Sequence, residues 1–336
     1  MLPPFGVSAV FTHWQFAPVV TGVVALLAGL YGWGVIRVAR RHPARPWPTW
    51  RTGMFGSGLL VLVLATESGV GTYDDLLFYD HMIQHLLLLM IVPPLLIAGQ
   101  PLTLLLHASR NPVHTWAKRV VRSRIASFLT WPVFGAAAYT LAVMVAHLTA
   151  IASFTEHNQG WHNAEHALFV VIGYLFFLPI LGTEPIRWRL SYPIRFVLLV
   201  LLMPIDTFTG VVLGYGDSGS PGIPTGPRPA WAPSPVSDLH SGGAVMWVAG
   251  DALMFGLMMV VFLMWARDER AAVSGRSFVE RARRQNLVTL VGSQPELAAD
   301  LGPVASPASR TIDDDEHLAA YNEYLSRLNR HHDEAR

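Results

Sequence analysis

The sequence predicts an all-α, polytopic membrane protein of seven transmembrane helices, with the N-terminus outside and the C-terminus in the cytoplasm. Three observations predict it. Of the 336 residues, 52% are hydrophobic and only 14% charged, where a soluble domain carries about 25% charged residues. Apolar runs of roughly the 20 residues that cross a bilayer recur along the chain. Lys and Arg collect in alternate connections: of the 24, only Arg228 falls on the opposite face, and the positive-inside rule gives the rich face to the cytoplasm.

The seven runs are Pro18–Ile36, Gly53–Val70, Tyr79–Ala98, Phe128–Ala150, His162–Leu181, Ile194–Gly214 and Gly243–Trp265. The opening "MLPPFGVSAVFTHW" has no basic n-region, so span one reads as a retained helix and not as a cleaved signal. Pro93, Pro94 and "AGQP" predict that span three is kinked, ends near Gly99 and leads into a short interfacial helix. The outward connections are acidic after span two ("ESGVGTYDDLLFYD") and polar after span four ("ASFTEHNQG"). The one after span six, "GYGDSGSPGIPTGPRPAWAPSPVSDLH", is too rich in Pro and Gly for regular structure. It reads equally as a lid or partner-binding loop and as a plain linker. The transmembrane domain covers 1–266. A cytoplasmic tail, 267–336, begins with a basic helix suited to an anionic inner leaflet and ends with Leu318, Tyr321, Leu325 and Leu328 at helical spacing.

Cysteine is absent, which excludes thiolate metal sites. Any metal must be held by His, Met, carboxylate or backbone. Of the 14 histidines, eight fall at or near the outer face: His13, His81, His85, His147, His157, His162, His166 and His240. Span three opens with "HMIQH", span five with "HNAEH" and span seven with "HSGGAVMW". Residues four apart share one helix face, with Cβ atoms about 5–6 Å apart, so each pair can converge on one ion. A single histidine at a helix end is ordinarily an interfacial residue. Two such pairs heading spans that start on the same side, with His240 heading a third, favour a metal or cofactor site over coincidence. His13, His147 and His157 read as ordinary surface or interfacial residues, with His147 the best reserve ligand among them.

The carboxylates divide in the same way. Glu165, between the span-five histidines, reads as a ligand, an orienting partner or a solvated charge; Asp80 and Asp238 have similar status. Asp206 and Asp251 each lie about 11 residues into a span, roughly 16 Å deep at 1.5 Å per residue, where an aspartate is costly unless protonated, paired or functional. Met246 reads first as a core methionine and second as a ligand. Imidazole suits copper, zinc, iron and nickel. A thiol-free site with methionine nearby is compatible with copper in either oxidation state, and zinc and haem stay open. The close doublets favour a compact ion over haem, whose axial histidines need not be paired on one helix.

Together, "DHMIQHLLLLMIVPPLLIAGQP", "WHNAEHALF" and "DLHSGGAVMWVAGD" resemble the multi-spanning CtaG-type cytochrome c oxidase assembly proteins, from roughly Phe11 to Trp265; the tail motif "AAYNEYL" is similar too. The resemblance implies a non-enzymatic factor of the cell membrane that holds or delivers copper at its outer face to subunits of a haem-copper oxidase. Its candidate ligands are His81, His85, His162, His166 and His240, with Glu165, Met246 and Asp251 as lesser ones. Two other readings stand beside it. One is a haem-binding redox protein with bis-histidine ligation. The other is a secondary copper or proton transporter relaying through Asp206 and Asp251. No nucleophile triad or nucleotide-binding glycine loop is present, and no nucleic-acid partner is expected; membrane lipid is.

Overall fold

Prolines set where many of the helices begin. They sit in the first turn of six of them, a position where a missing N–H ordinarily costs nothing and the fixed φ already suits a helix. In the computed structural model the chain runs through α1 (Val7–Thr12), α2 (Pro18–Arg41), α3 (Thr49–Glu67), α4 (Gly69–Tyr73) and α5 (Phe78–Leu86). A π-turn (Leu87–Ile91) joins α5 to α6 (Val92–Ala98), and α7 (Pro101–Ala108), α8 (Val113–Val121) and α9 (Arg124–Leu129) follow. The rest is α10 (Pro132–Leu148), α11 (Gln159–Leu181), α12 (Tyr192–Gly214) and α13 (Pro235–Ser293). The structure describes residues 2–149, 159–182, 184–220, 223 and 228–293, and no strand occurs among them. His157 and the "AAYNEYL" segment lie outside the described residues. The chain divides into two compact units, Met1–Arg267 and Asp268–Arg336.

Among the described residues, six helical stretches are long and apolar enough to cross a bilayer: Pro18–Arg41, Thr49–Tyr73, Phe78–Ala108, Gly160–Leu181, Tyr192–Gly214 and Pro235–Ala271. The expected fourth span is shorter than its apolar run. It is α10, 17 residues, or about 26 Å at 1.5 Å per residue, because Pro132 opens a new helix after Thr130 and Trp131 and separates it from α9. This is a polytopic, all-α membrane protein.

The stretch carrying α5 and α6 is the centre of the bundle: 67% of its apolar window is buried, against 11% for α2. The α6 segment packs on α3 and α11, and α10 packs on α11 and α12. Leu88, Met90, Val92, Phe176, Phe177 and Leu199 fill the core, whereas Leu26, Leu30, Leu201 and Val248 face outward, as helices in lipid require. Without a hydrophobic drive between helices, close approach depends on small residues. A Cβ on Gly243 would meet the Gly214 backbone nitrogen at 2.5 Å, and one on Gly210 the Gly243 carbonyl at 2.7 Å, so α12 and α13 cross backbone to backbone.

Span three bends as its prolines demand, at an identifiable place. Pro93 and Pro94 cannot donate to the preceding turn, and the wider π-turn just before them absorbs the mismatch. The helix ends at Ala98. Gln100, at φ 52°, turns the chain into α7, whose first N–H groups at Leu102 and Thr103 donate to the Glu184 carboxylate at 3.1 and 2.8 Å. Burial pushes the Glu184 carboxyl up from its usual value, and the Thr103 hydroxyl and these N–H groups pull against it.

The Leu89 carbonyl of the π-turn faces Gly173 on α11. A Cβ there would come within 2.2 Å of that oxygen and 2.8 Å of Pro93 Cγ. Gly173→Ala is expected to destabilise the protein by about 1–3 kcal/mol, the usual cost of overpacking. Gly256→Ala, with nothing within 4 Å, should be near neutral. Thermal unfolding in detergent checks this, and equal melting of the two variants would contradict the packing described.

Candidate metal centre

Helical spacing puts His81 and His85 on one face of α5, while Gln84, on another face, donates to the Ala65 carbonyl at 2.9 Å. The start of α5 is held by a carboxylate from a distant element. The N–H groups of Phe78 and Tyr79 donate to Asp238 at 2.9 and 3.1 Å, a negative charge at the positive end of the helix. Arg228 pairs with Asp238 and also donates to the carbonyls of Leu76 at 3.0 Å and Pro233 at 2.7 Å. Trp231 donates to the Leu2 carbonyl at 2.9 Å and packs near Tyr73. The described C-terminal half of the Pro/Gly-rich connection is therefore strapped across the N-terminal segment and the start of α5.

Five imidazoles from three helices meet beside this strap. The ring centroids of His81 and His85 lie 4.0 Å apart, and those of His162 and His166 on α11 lie 4.3 Å apart. The two pairs face each other, with His81 at 5.1 Å from His162 and His85 at 5.8 Å from His166. His147, near the end of α10, is the fifth, its ring 5.1 Å from that of His85. Phe169 closes the apolar side at 4.5 Å from His85.

Hydrogen bonds assign the tautomers. His147 Nδ1 lies 2.8 Å from the Val143 carbonyl, which can only accept, so Nδ1 carries the proton and Nε2 the lone pair. His85 Nδ1, 3.0 Å from that Nε2, must then donate. This leaves His85 with its lone pair on Nε2, which is buried without a partner. His162 Nδ1 and Nε2 and His166 Nε2 are also buried with no hydrogen-bond partner. Buried nitrogens in this state are unusual, and an absent ion is one of the accepted reasons for them.

Two aspartates complete the group. Asp74 on the turn before α5 brings Oδ2 to 3.4 Å from His162 Nε2, and ligand atoms of Asp74, His162 and His166 all lie within 4.8 Å of one another. Two donors about 2.0–2.1 Å from one tetrahedral ion stand roughly 3.4 Å apart, so the trio has the spacing of a ligand set. Asp75 Oδ1 lies 3.9 Å from His162 Nδ1. Burial and then the Asp74 charge push the Asp75 carboxyl up, and His162 pulls it down.

Of the residues singled out from sequence, His81, His85, His162 and His166 come together and Glu165 is buried among them on α11. His240 does not join. It is exposed, and its Nε2 donates to the Gly216 carbonyl at 2.8 Å. The third helix of the cluster is thus α10 with His147, and not the last span. Met246 is buried but lines a small cavity with Met82, His85, His147 and Asp206. Asp251 stands apart, accepting from the Thr207 hydroxyl at 2.9 and 3.0 Å, while Asp206 accepts from the Tyr139 hydroxyl at 3.0 Å. Asp74 escaped sequence reasoning because it sits on a turn with no periodicity; its signal was the acidic pair in "TYDD".

An all-helical membrane bundle with one buried histidine cluster is the class these features define. The model of the cytochrome c oxidase caa3 assembly factor family matches residues 29–268, and the chain belongs to that family. It is 30% identical over 286 residues to the uncharacterized protein Mb0105 of Mycobacterium bovis and to the uncharacterized protein MT0111 of Mycobacterium tuberculosis. It is also 30% identical over 280 residues to the uncharacterized protein ML1998 of Mycobacterium leprae. These alignments cover 80–81% of this chain, but it spans only 42% of the length of the relatives. No solved structure matches it.

Removing Arg228 leaves the Asp238 carboxylate buried beside the α5 terminus without its cation. Arg228→Ala is expected to cost about 3–5 kcal/mol, as breaking one half of a buried pair does. The double variant Arg228→Ala/Asp238→Asn should recover part of that loss. Unfolding midpoints of the two variants compared with the unaltered protein check it.

Proposed function

We propose that this chain is an assembly factor for a haem-copper oxidase that holds a copper ion in the histidine cluster and passes it to an apo-subunit. The observation that carries this reading is the set of four imidazole nitrogens, on His85, His162 and His166, buried together with no hydrogen-bond partner. Family membership supplies the client class, cytochrome c oxidase. The copper is cargo. Neutral imidazoles with one carboxylate from Asp74 make an open, exchangeable coordination sphere, from which a better-matched site on a client can take the ion by ligand exchange.

With α10 counted as a seventh crossing, the distribution of Lys and Arg supports a topology with the N-terminus and the cluster on the outer side of the cell membrane. Copper is favoured over zinc by imidazole donors with thioethers close by. The small cavity beside the rings, about 10 Å³, takes no more than one water-sized guest, which favours a point ion over haem. Membership of an assembly-factor family supports a non-catalytic role.

Metal analysis of the full chain purified in detergent tests the reading. At least one copper per chain is expected, falling about tenfold or more in His162→Ala/His166→Ala, with no Soret band in the absorption spectrum. Copper content unchanged in that variant, zinc in its place, or a strong Soret band overturns the proposal.

A further inference from the structure

At the end of span three away from the histidines, two short helices present an edge that the bundle leaves uncovered. α8 and α9 join α7 to α10, and so lie at the membrane face opposite the cluster. Each is fixed to the protein along one side. Ala117 of α8 is buried, and His114 Nδ1 lies 3.0 Å from the Leu106 carbonyl of α7. The Ser127 carbonyl of α9 accepts from the Trp188 indole at 2.7 Å. The other side is open. At about 100° per residue, Val113, Trp116 and Val120 share a sector of about 60°, and all three are exposed, Trp116 to 64%. Arg119 borders that sector, about 60° from Trp116, whereas Lys118 stands on the far edge, about 160° away. On α9, Ile125 and Phe128 are exposed, with the exposed Arg124 one turn from Phe128. Among the described residues neither arginine makes an ion pair, and no acidic residue occurs between Asp80 and Glu156.

We propose that this edge of α8 and α9 is a docking surface for anionic phospholipid. Arg119 and Arg124 hold the phosphate, while Trp116, Val120, Ile125 and Phe128 lie against the glycerol and the upper acyl chains. Three physical arguments select this occupant. A helix with an apolar sector bordered by cations is the form that lies in the plane of a membrane surface, and an exposed tryptophan suits the boundary between headgroups and hydrocarbon. A guanidinium matches phosphate with two parallel N–H donors, and in so long a stretch without Asp or Glu the opposite charge has to come from outside this part of the chain. A zwitterionic lipid brings its own cation beside the phosphate, so the complementarity is with a net negative headgroup. Both helices are already held by α7 and by Trp188, so docking orders little backbone, which keeps its entropic cost low. Lys118 belongs to the same helix and carries the same charge, but its edge faces away from the apolar sector.

The test is native mass spectrometry of the full chain in neutral detergent, titrated with phosphatidylglycerol or with phosphatidylcholine of the same acyl chains. The unaltered protein should hold phosphatidylglycerol in preference to phosphatidylcholine. Each basic residue near an anionic surface strengthens association about fivefold, so Arg119→Gln/Arg124→Gln should weaken the tightest phosphatidylglycerol binding about 25-fold. Lys118→Gln should weaken it far less, and Trp116→Ala/Phe128→Ala should weaken the binding of both lipids. All these side chains are exposed, so the variants should keep the gel-filtration profile of the unaltered protein. Phosphatidylglycerol binding unchanged in the double arginine variant, or lowered as much by Lys118→Gln as by Arg119→Gln, overturns the proposal. Displacement of the lipid by millimolar inorganic phosphate would make the edge a site for phosphate alone, and a dimer that dissociates in Trp116→Ala/Phe128→Ala would assign it to a second copy of the chain; either result overturns it too.

Discussion

A polar atom buried without a partner costs about 1–3 kcal/mol, and the histidine cluster contains four such nitrogens within a few ångströms of one another. A membrane bundle has few ways to offset that cost. The elements around the cluster show what it takes to keep the rings in place. Asp238 and Arg228, from the connection before α13, fix the start of α5. Val143 and His147 fix the ring of His85, and Phe169 packs against it. The rings are held from outside the cluster, and the two nitrogens of His162 lie 3.4 and 3.9 Å from the carboxylates of Asp74 and Asp75.

Much of this was legible in the sequence where periodicity could carry it. His81 with His85, and His162 with His166, are placed on common faces by the 3.6-residue repeat alone, and apolar length marks six of the helices. The failures have physical reasons. His240 heads a span just as the others do, but a position at the head of a helix does not say which face points inward, and here it points at the Gly216 carbonyl. His147 stands alone in the last turn of α10, with no partner histidine four residues away to mark it, and the Val143 carbonyl orients its ring toward His85. Asp74 lies on a turn whose conformation is set by tertiary contacts, among them the approach of the N-terminal segment, where a Cβ on Gly69 would come within 2.4 Å of the Ala9 carbonyl.

The paired mid-membrane groups divide in a way that composition could not foresee. Asp206 and Asp251 look equivalent along their helices, yet one accepts from a buried tyrosine at the cavity wall and the other from a threonine on the neighbouring helix. Each is satisfied locally and no hydrogen bond connects them, which weakens the relay that a proton-coupled transporter would need. The family match spans most of this chain, while the chain spans 42% of the length of its mycobacterial relatives.

The π-turn at Leu87–Ile91 has a consequence for how such a module can vary. An α-helix advances about 100° per residue, so one additional residue in the turn rotates everything before it relative to everything after. The face that points His81 and His85 at α11 and the face that packs α6 against α3 are thereby set independently within one crossing. The packing of α6 on α3 can thus change without swinging the imidazoles out of register. Conversely, loss of a single residue between Leu86 and Val92 would turn both rings away together, erasing the centre while leaving the hydrophobic length of the span almost unchanged.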